Sequence, residues 1–329
     1  MTFLRKRISQ AMFGVLMATG LTAVTAEANT LVRMDTTFGS LTIELYDDET
    51  PISVENFMHY VEQGAYARGV VQRLDTGDNV IQGGMVRYLG DCIDDILQPD
   101  CSTDWVETID PIKNESGIAN TRGTLAYART ANVDSATSEW FINIEDNPSF
   151  DDLVDEESGE AIQGYAVFGQ VLGDGMEVVD RIRELEVTGV SDMFGTFPLR
   201  DIGHGPLEPN LVMYNIHEVG RYTSALNVFE HQSRRFSVTV DIYGQGPYSM
   251  QMVMAVDQAQ PIFEVDPDTL ITLAITPEGA GGFGHEADPA ILHVPVIEVN
   301  DHGRVYEMRN AVFRLLDDAS LRFQLISHE

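Results

Sequence analysis

Ser138-Glu139-Trp140-Phe141-Ile142-Asn143 is the stretch on which the fold of this chain turns. It is aromatic and β-branched, and strand alternation sends Trp140 and Phe141 to opposite faces. Working outward, Thr124 to Ala128 within Arg122-Gly123-Thr124-Leu125-Ala126-Tyr127-Ala128-Arg129 has the same character, as do Val70 to Leu74, Val80 to Gln82, Ala166 to Val171 and Leu211 to Val219. Leu31 to Asp35 and Ser40 to Tyr46 alternate apolar and polar residues around Thr36-Thr37-Phe38-Gly39 and read as a hairpin. Thr50 is placed to N-cap a helix with Pro51 in its first turn. Val54, Phe57, Met58 and Val61 then recur on one face, and Gly64 stops it. Asp174 is placed to cap a second helix with Val178, Ile182 and Leu185 on one face. Many short strands with two helices predict a mainly β fold, a small closed barrel capped by helices at its ends.

Past Gly220 the pattern changes. Arg221 to Glu329 holds five strand-like runs, Phe236 to Tyr243, Met250 to Val256, Leu270 to Ile275, Ile291 to Val299 and Leu321 to Ile326, with turns such as Gly244-Gln245-Gly246-Pro247 between them. Residues 221–329 are expected to form a second small β-sandwich or barrel, joined near Tyr222 to Ala225, and residues 30–220 the first domain.

Residues 1–28 read as an address. Arg5, Lys6 and Arg7 precede a short apolar stretch, Ala11 to Val24, and a small-residue cleavage site, Ala26-Glu27-Ala28. A membrane anchor is the alternative, but the apolar run is shorter than the ~20 residues that span a bilayer. A cleaved signal peptide implies an exported protein, in a bacterial periplasm, with no membrane insertion after cleavage.

The chain has 20 basic and 52 acidic residues; without residues 1–28 the balance is 17 against 51, a net charge of −34. Phosphate is repelled by such a surface, so nucleic acid and anionic membranes are excluded as partners. The two cysteines, Cys92 and Cys101, form a close pair in a polar loop. In an oxidising compartment they are expected to be bridged, a staple worth about 2–3 kcal/mol. A zinc site lacks neighbouring ligands, and the spacing is not that of a Cys-x-x-Cys redox pair.

The opening stretch belongs to an ordered set of blocks: Phe38-Gly39, Pro51 to Phe57, Gln72-Arg73, Ile81-Gln82-Gly83-Gly84, Pro111-Ile112-Lys113-Asn114-Glu115, Arg122 to Arg129, Asp134 to Ser138 and Tyr165-Ala166-Val167-Phe168-Gly169. In that order they resemble the cyclophilins, prolyl isomerases that hold an Xaa-Pro segment in an open cleft. The resemblance runs from Leu31 to Val219 and implies a closed, helix-capped barrel and peptidyl-prolyl cis/trans isomerase activity without cofactor or metal. The implied partners are proline-containing segments of unfolded or extended proteins.

By the same resemblance Arg73 is the catalytic arginine and Gln82 the glutamine that supports it. Val80, Phe141, Phe150 and Tyr165 fall in the proline pocket, and Ala128 and Arg129 on the edge that binds the peptide backbone. A plainer reading exists for several of them. Arg73 could be a surface ion-pair arginine, Gln82 a solvent-facing strand residue, and Phe141 ordinary core.

Several departures bear on activity. The segment Thr76-Gly77-Asp78-Asn79-Val80 is one residue longer than the pattern, and Asn79 stands where the pocket has a phenylalanine. Asp78 is placed to pair with Arg73. Glu139 replaces a glutamine and Ser149 a tryptophan present in some members, so weak cyclosporin binding is expected. The expected function is therefore an isomerase assisting the folding of exported proteins. The alternatives are a catalytically weak peptide-binding or chaperone protein, and a chain whose C-terminal domain docks a partner. The other signals carry less. Asn114-Glu115-Ser116 fits a glycosylation sequon, Gly279 to Gly284 a flexible turn, and the acidic runs at Asp94-Asp95 and Asp151 to Glu157 solvated loops. The eight histidines show no ligand spacing.

Overall fold

The computed structural model describes residues 29–89, 103–155, 158–189, 194–204, 208–256, 260–284, 290–317 and 319–329. The signal-peptide reading of residues 1–28 and the Cys92–Cys101 bridge lie outside them.

The N-terminal hairpin forms as read, β1 (Leu31–Thr36) against β2 (Gly39–Leu45). Helix α1 (Pro51–Glu62) follows and buries Val54, Phe57, Tyr60 and Val61. Its capping differs from expectation. The Thr50 hydroxyl donates to Tyr46 O at 3.2 Å, away from the helix. The N–H groups of Ile52 and Ser53 donate instead to the Glu115 carboxylate, at 3.3 and 2.8 Å. A carboxylate from a distant loop satisfies the first turn, where negative charge is favoured. Gly64 ends the helix as read, at φ +68°, with Ala65 N–H reaching Tyr60 O at 2.9 Å.

Next come β3 (Gly69–Val70), β4 (Arg73–Asp75), β5 (Val80–Gly83), β6 (Val86–Tyr88), β7 (Thr103–Trp105), β8 (Thr124–Tyr127) and β9 (Trp140–Asn143). A short hairpin, β10 (Leu153–Val154) and β11 (Ala161–Ile162), leads to β12 (Val167–Val171) and α2 (Gly175–Arg183). Asp174 precedes α2 but its side chain makes no capping bond; Val178, Val179 and Ile182 anchor the helix instead. The hairpin β13 (Glu186–Thr188) and β14 (Phe197–Leu199) precedes β15 (Met213–Val219).

Strand order is β4-β5-β9-β8-β12-β2-β1-β15-β3, and β3 and β4 are the two ends of one extended segment, Gly69–Asp75. Val71 N–H donates to Val212 O at 2.9 Å and Gln72 N–H to Gln82 O at 3.1 Å, so this segment leaves β15 and joins β5. The barrel is thereby closed. Its interior holds Trp140, Ile142, Tyr127, Phe168, Phe57 and Tyr214. The glycine pair of the sequence makes room for that filling. A Cβ on Gly83 lies 2.5 Å from the Trp140 ring, and Gly84, at φ +95°, approaches Ser138 O so closely that a Cβ lies 2.2 Å from it.

The C-terminal region contains β16 (Val228–Glu230), β17 (Arg235–Ile242), β18 (Gly246–Met254), β19 (Ile262–Thr272), β20 (Gly281–Phe283), β21 (Ile291–Asp301), β22 (Arg304–Asp317) and β23 (Arg322–Ser327). Of the two expected architectures this is the barrel. The ladder β17-β18-β19-β23-β22-β21 is closed by β16 and β20, which lie end to end and each pair with both β17 and β21. Phe236, Phe263 and Phe313 fill its centre.

The two barrels share a third core. Ile271 and Leu273, at and just past the end of β19, are buried with Val70, Val86, Tyr88, Leu211 and Met213 of the first barrel. Polar links run beside it. The buried Arg33, paired with Asp35 at 2.8 Å, donates to Ala225 O at 2.7 Å, and Asn215 Nδ2 donates to Thr269 O at 2.6 Å. His217 of β15 bonds Ser237 and Gln251 of the second barrel at 2.9 and 2.8 Å.

Candidate active site

Antiparallel register places the sequence-selected residues in one row across the outer wall of the first barrel. Arg73 faces Gln82, Gln82 faces Phe141, and Phe141 faces Ala126, across β4, β5, β9 and β8. Directly opposed side chains on one sheet face touch, so the register alone assembles a cationic, an amide and an aromatic group. Trp140 points the other way, into the barrel, as alternation requires.

Arg73 Nη1 donates to Gln82 Oε1 at 3.3 Å. Gln82 Nε2 in turn donates to Glu139 Oε2 at 2.8 Å, and Gln72 Nε2 reaches the same oxygen at 3.2 Å. Burial pushes the Glu139 carboxyl above the usual carboxylate range, partly offset by those two donors. Glutamate in place of glutamine thus acts as an acceptor that fixes the Gln82 amide with its oxygen toward Arg73. The other face of the guanidinium is held by acids. Nη2 bonds Asp75 Oδ2 at 2.9 Å and also Asp78, the pairing expected from sequence. Asp75 Oδ1 accepts the Gly77 and Asp78 N–H groups at 2.8 and 3.0 Å, shaping the loop that brings Asp78 round to Arg73. These donors, Asp78 N–H foremost, hold the Asp75 carboxyl below its ordinary value.

Beside this polar row lies an aromatic pocket. Phe141 meets Phe150 and Tyr165 edge-on at 5.8 and 5.5 Å, and Val80, Ala126, Ala128 and Val167 complete the cluster. Arg129 lies over the Tyr165 ring at 4.6 Å and donates to Gln163 O at 2.7 Å, so its side chain forms a rim. Ala128 N–H is bonded to Glu139 O at 2.9 Å.

The sequence profile of the "Cyclophilin type peptidyl-prolyl cis-trans isomerase/CLD" family matches residues 31–202. The chain belongs to the cyclophilin family. Among its relatives, a "Peptidyl-prolyl cis-trans isomerase" of Acinetobacter baylyi is 41% identical over 54% of this chain and 81% of its own. "Peptidyl-prolyl cis-trans isomerase B" of Escherichia coli is 39% identical over 52% of this chain and 94% of its own. The cyclophilin match ends before β15, the strand that closes the barrel and carries the joint to the second.

Within the cyclophilin wall, Asn79 sits differently from a pocket side chain. It is left-handed, at φ +54°, and its amide donates to Asn147 Oδ1 at 3.4 Å. The longer loop before β5 is absorbed by that conformation, which asparagine tolerates and phenylalanine does not. Restoring an aromatic at this position therefore strains the loop.

Sequence reading also missed the support beneath the pocket. Asn147 Nδ2 donates to Asn143 Oδ1 at 2.7 Å, Asn143 Nδ2 to Asn120 Oδ1 at 3.2 Å, and Asn120 Nδ2 to Phe150 O at 3.1 Å. This chain of buried amides holds the backbone of Phe150 against Phe141. Its only signal in the sequence is Asn143 inside a strand run, where asparagine is depleted.

Proposed function

We propose that the chain accelerates cis/trans rotation about Xaa-Pro bonds in extended or unfolded protein segments, with Arg73 as the electrostatic group. The observation that carries this reading is the Arg73–Gln82–Phe141 row, a guanidinium two strands along the sheet from an aromatic pocket. Rotation of a prolyl amide breaks resonance against a barrier of ~18–20 kcal/mol and needs neither nucleophile nor metal. The twisted state is favoured by holding the ring in an apolar pocket and donating a hydrogen bond to the prolyl nitrogen as its lone pair localises. Phe141, Phe150, Tyr165 and Val80 suit the first task, and Arg73, aligned by Gln82 and Glu139, the second. The basic n-region and cleavage pattern of residues 1–28 support export to the periplasm, with unfolded exported proteins as clients.

One observation favours a second reading, peptide binding with little turnover: Asp75 and Asp78 occupy the donors of Arg73. Isomerisation of an Ala-Pro-containing tetrapeptide by wild type and Phe141→Ala separates the two. The isomerase reading expects catalysis in the wild type and a loss of at least about tenfold in kcat/KM with Phe141→Ala, the worth of ~1.4 kcal/mol of apolar contact. A wild type that binds the peptide without turning it over supports the second reading.

A further inference from the structure

Among the described residues one group of side chains is arranged to hold a metal ion: His231, Asp301 and His302, at one end of the second barrel. Strand pairing brings them together from distant parts of the sequence. Strand β16 runs parallel to β21 with Glu230 beside Asn300, and His231 N–H continues the ladder by donating to Asn300 O at 2.9 Å. His231 is thereby set beside Asp301. The hairpin from β21 to β22 then turns through His302 and Gly303, between the paired Asp301 and Arg304. Both turn residues have positive φ, 51° and 81°, the conformation of a tight hairpin in which Asn-Gly is preferred. A histidine in the first of these positions brings its ring back over the neighbouring strands.

The resulting distances suit coordination. His302 Nδ1 is 2.7 Å and His231 Nδ1 is 3.6 Å from Asp301 Oδ1, and donor atoms of all three lie within 4.8 Å of one another. A first-row ion with bonds of about 2.0–2.2 Å holds adjacent donors about 3.0–3.5 Å apart. Sub-ångström adjustments of three solvent-reachable side chains are enough to meet that spacing. Two imidazoles and a carboxylate on an acidic chain suit a borderline divalent cation over a hard one. Of the three, His231 also lines an apolar cavity of about 220 Å³ with Phe229, Phe263, Tyr306 and Met308.

We propose that His231, Asp301 and His302 form a binding site for a divalent first-row transition cation of the zinc class, with water completing its coordination. The ion joins the β16–β21 seam to the β21–β22 turn, and its binding stabilises the second barrel by mass action.

Calorimetric titration of the tag-free mature chain with zinc chloride tests the site, alongside His302→Asn, which keeps the turn conformation, and a His231→Ala/His302→Asn double variant. One equivalent of zinc is expected to bind wild type. Affinity is expected to fall about tenfold or more in His302→Asn and further in the double variant. At equal zinc the melting temperature rises most in wild type, less in His302→Asn and not in the double variant, and the visible absorption of a nitrogen-ligated cobalt site weakens in the same order. Equal zinc affinity in wild type and His302→Asn, or no zinc binding by wild type, overturns the proposal. If circular dichroism finds the double variant unfolded, His302→Asn alone decides.

Discussion

The two barrels keep their polar groups in different places. Both interiors are sealed by aromatic and aliphatic side chains, but the first barrel lines up Arg73, Gln82 and Phe141 on its outer wall, while the second brings His231, Asp301 and His302 together at one end. A filled barrel has no room for a substrate within, so chemistry belongs on whichever outer surface the register organises. In the first barrel that surface sits on the Gly69–Asp75 segment, and the second barrel packs behind the same segment through Ile271 and Leu273. The second barrel therefore reads as a buttress for the segment that carries Arg73.

The comparison is broken most forcefully at the shared core. Ile271 is fully buried, and Ile271→Ala is expected to cost about 2–4 kcal/mol. Because its neighbours belong to both barrels, urea unfolding of the variant is expected to remain a single transition at a lower midpoint. Two separated transitions would mean that the barrels stand independently.

The joint is expected to lose stability in mild acid. Burial pushes the His217 imidazole down to about 4, against an ordinary value of 6.5. The folded state thus prefers the neutral ring, and the unfolded chain takes up the proton first. Stability is fully present above pH 6.5 and is lost as the pH falls towards 4, by up to about 1.4 kcal/mol per pH unit. His217→Gln is expected to flatten that limb in melting curves recorded across the window, and an unchanged slope would place the acid sensitivity elsewhere.

The smallest effect sharpens the contrast on the Arg73 side. The Arg73–Asp78 pair is partly exposed, at 36% and 51% of the side-chain surfaces, so its worth is at most about 1 kcal/mol. Asp78→Ala is expected to raise kcat/KM about two- to fivefold at low salt. Added salt, which screens the pair in wild type, narrows the gap. A fall in activity would assign Asp78 to positioning Arg73.

Legibility in sequence followed the same division. The first barrel was readable because its motifs are specific in type and order: Gly83 and Gly84 are glycines on account of Trp140 and Ser138, and Arg73, Gln82 and Phe141 align because each strand is short and tightly registered. Helix N-caps were not readable, although the Gly64 stop was. Thr50 and Asp174 have cap chemistry, yet Glu115 from a remote loop caps α1 and no side chain caps α2 through Asp174. In the second barrel β22 went unread because most of its 14 residues are exposed, with charged residues along its length and no steady alternation. Leu270 to Ile275 was cut too late for the opposite reason. The strand begins at Ile262, runs through Asp266 and Asp268, and stops before the exposed Ile275. The asparagine chain under Phe150 and the His231–Asp301–His302 group are contacts between segments distant in sequence, which no local spacing encodes.

The measurement that bears most directly on this account is kcat/KM for Xaa-Pro isomerisation in wild type and Arg73→Ala, with melting temperature recorded on the same samples. Removing one preorganised donor to the transition state is expected to cost about 10²–10³ in rate. The melting temperature is expected to stay close to wild type, because Arg73 is a partly exposed wall residue. Near-wild-type turnover in a folded Arg73→Ala protein would contradict the central claim.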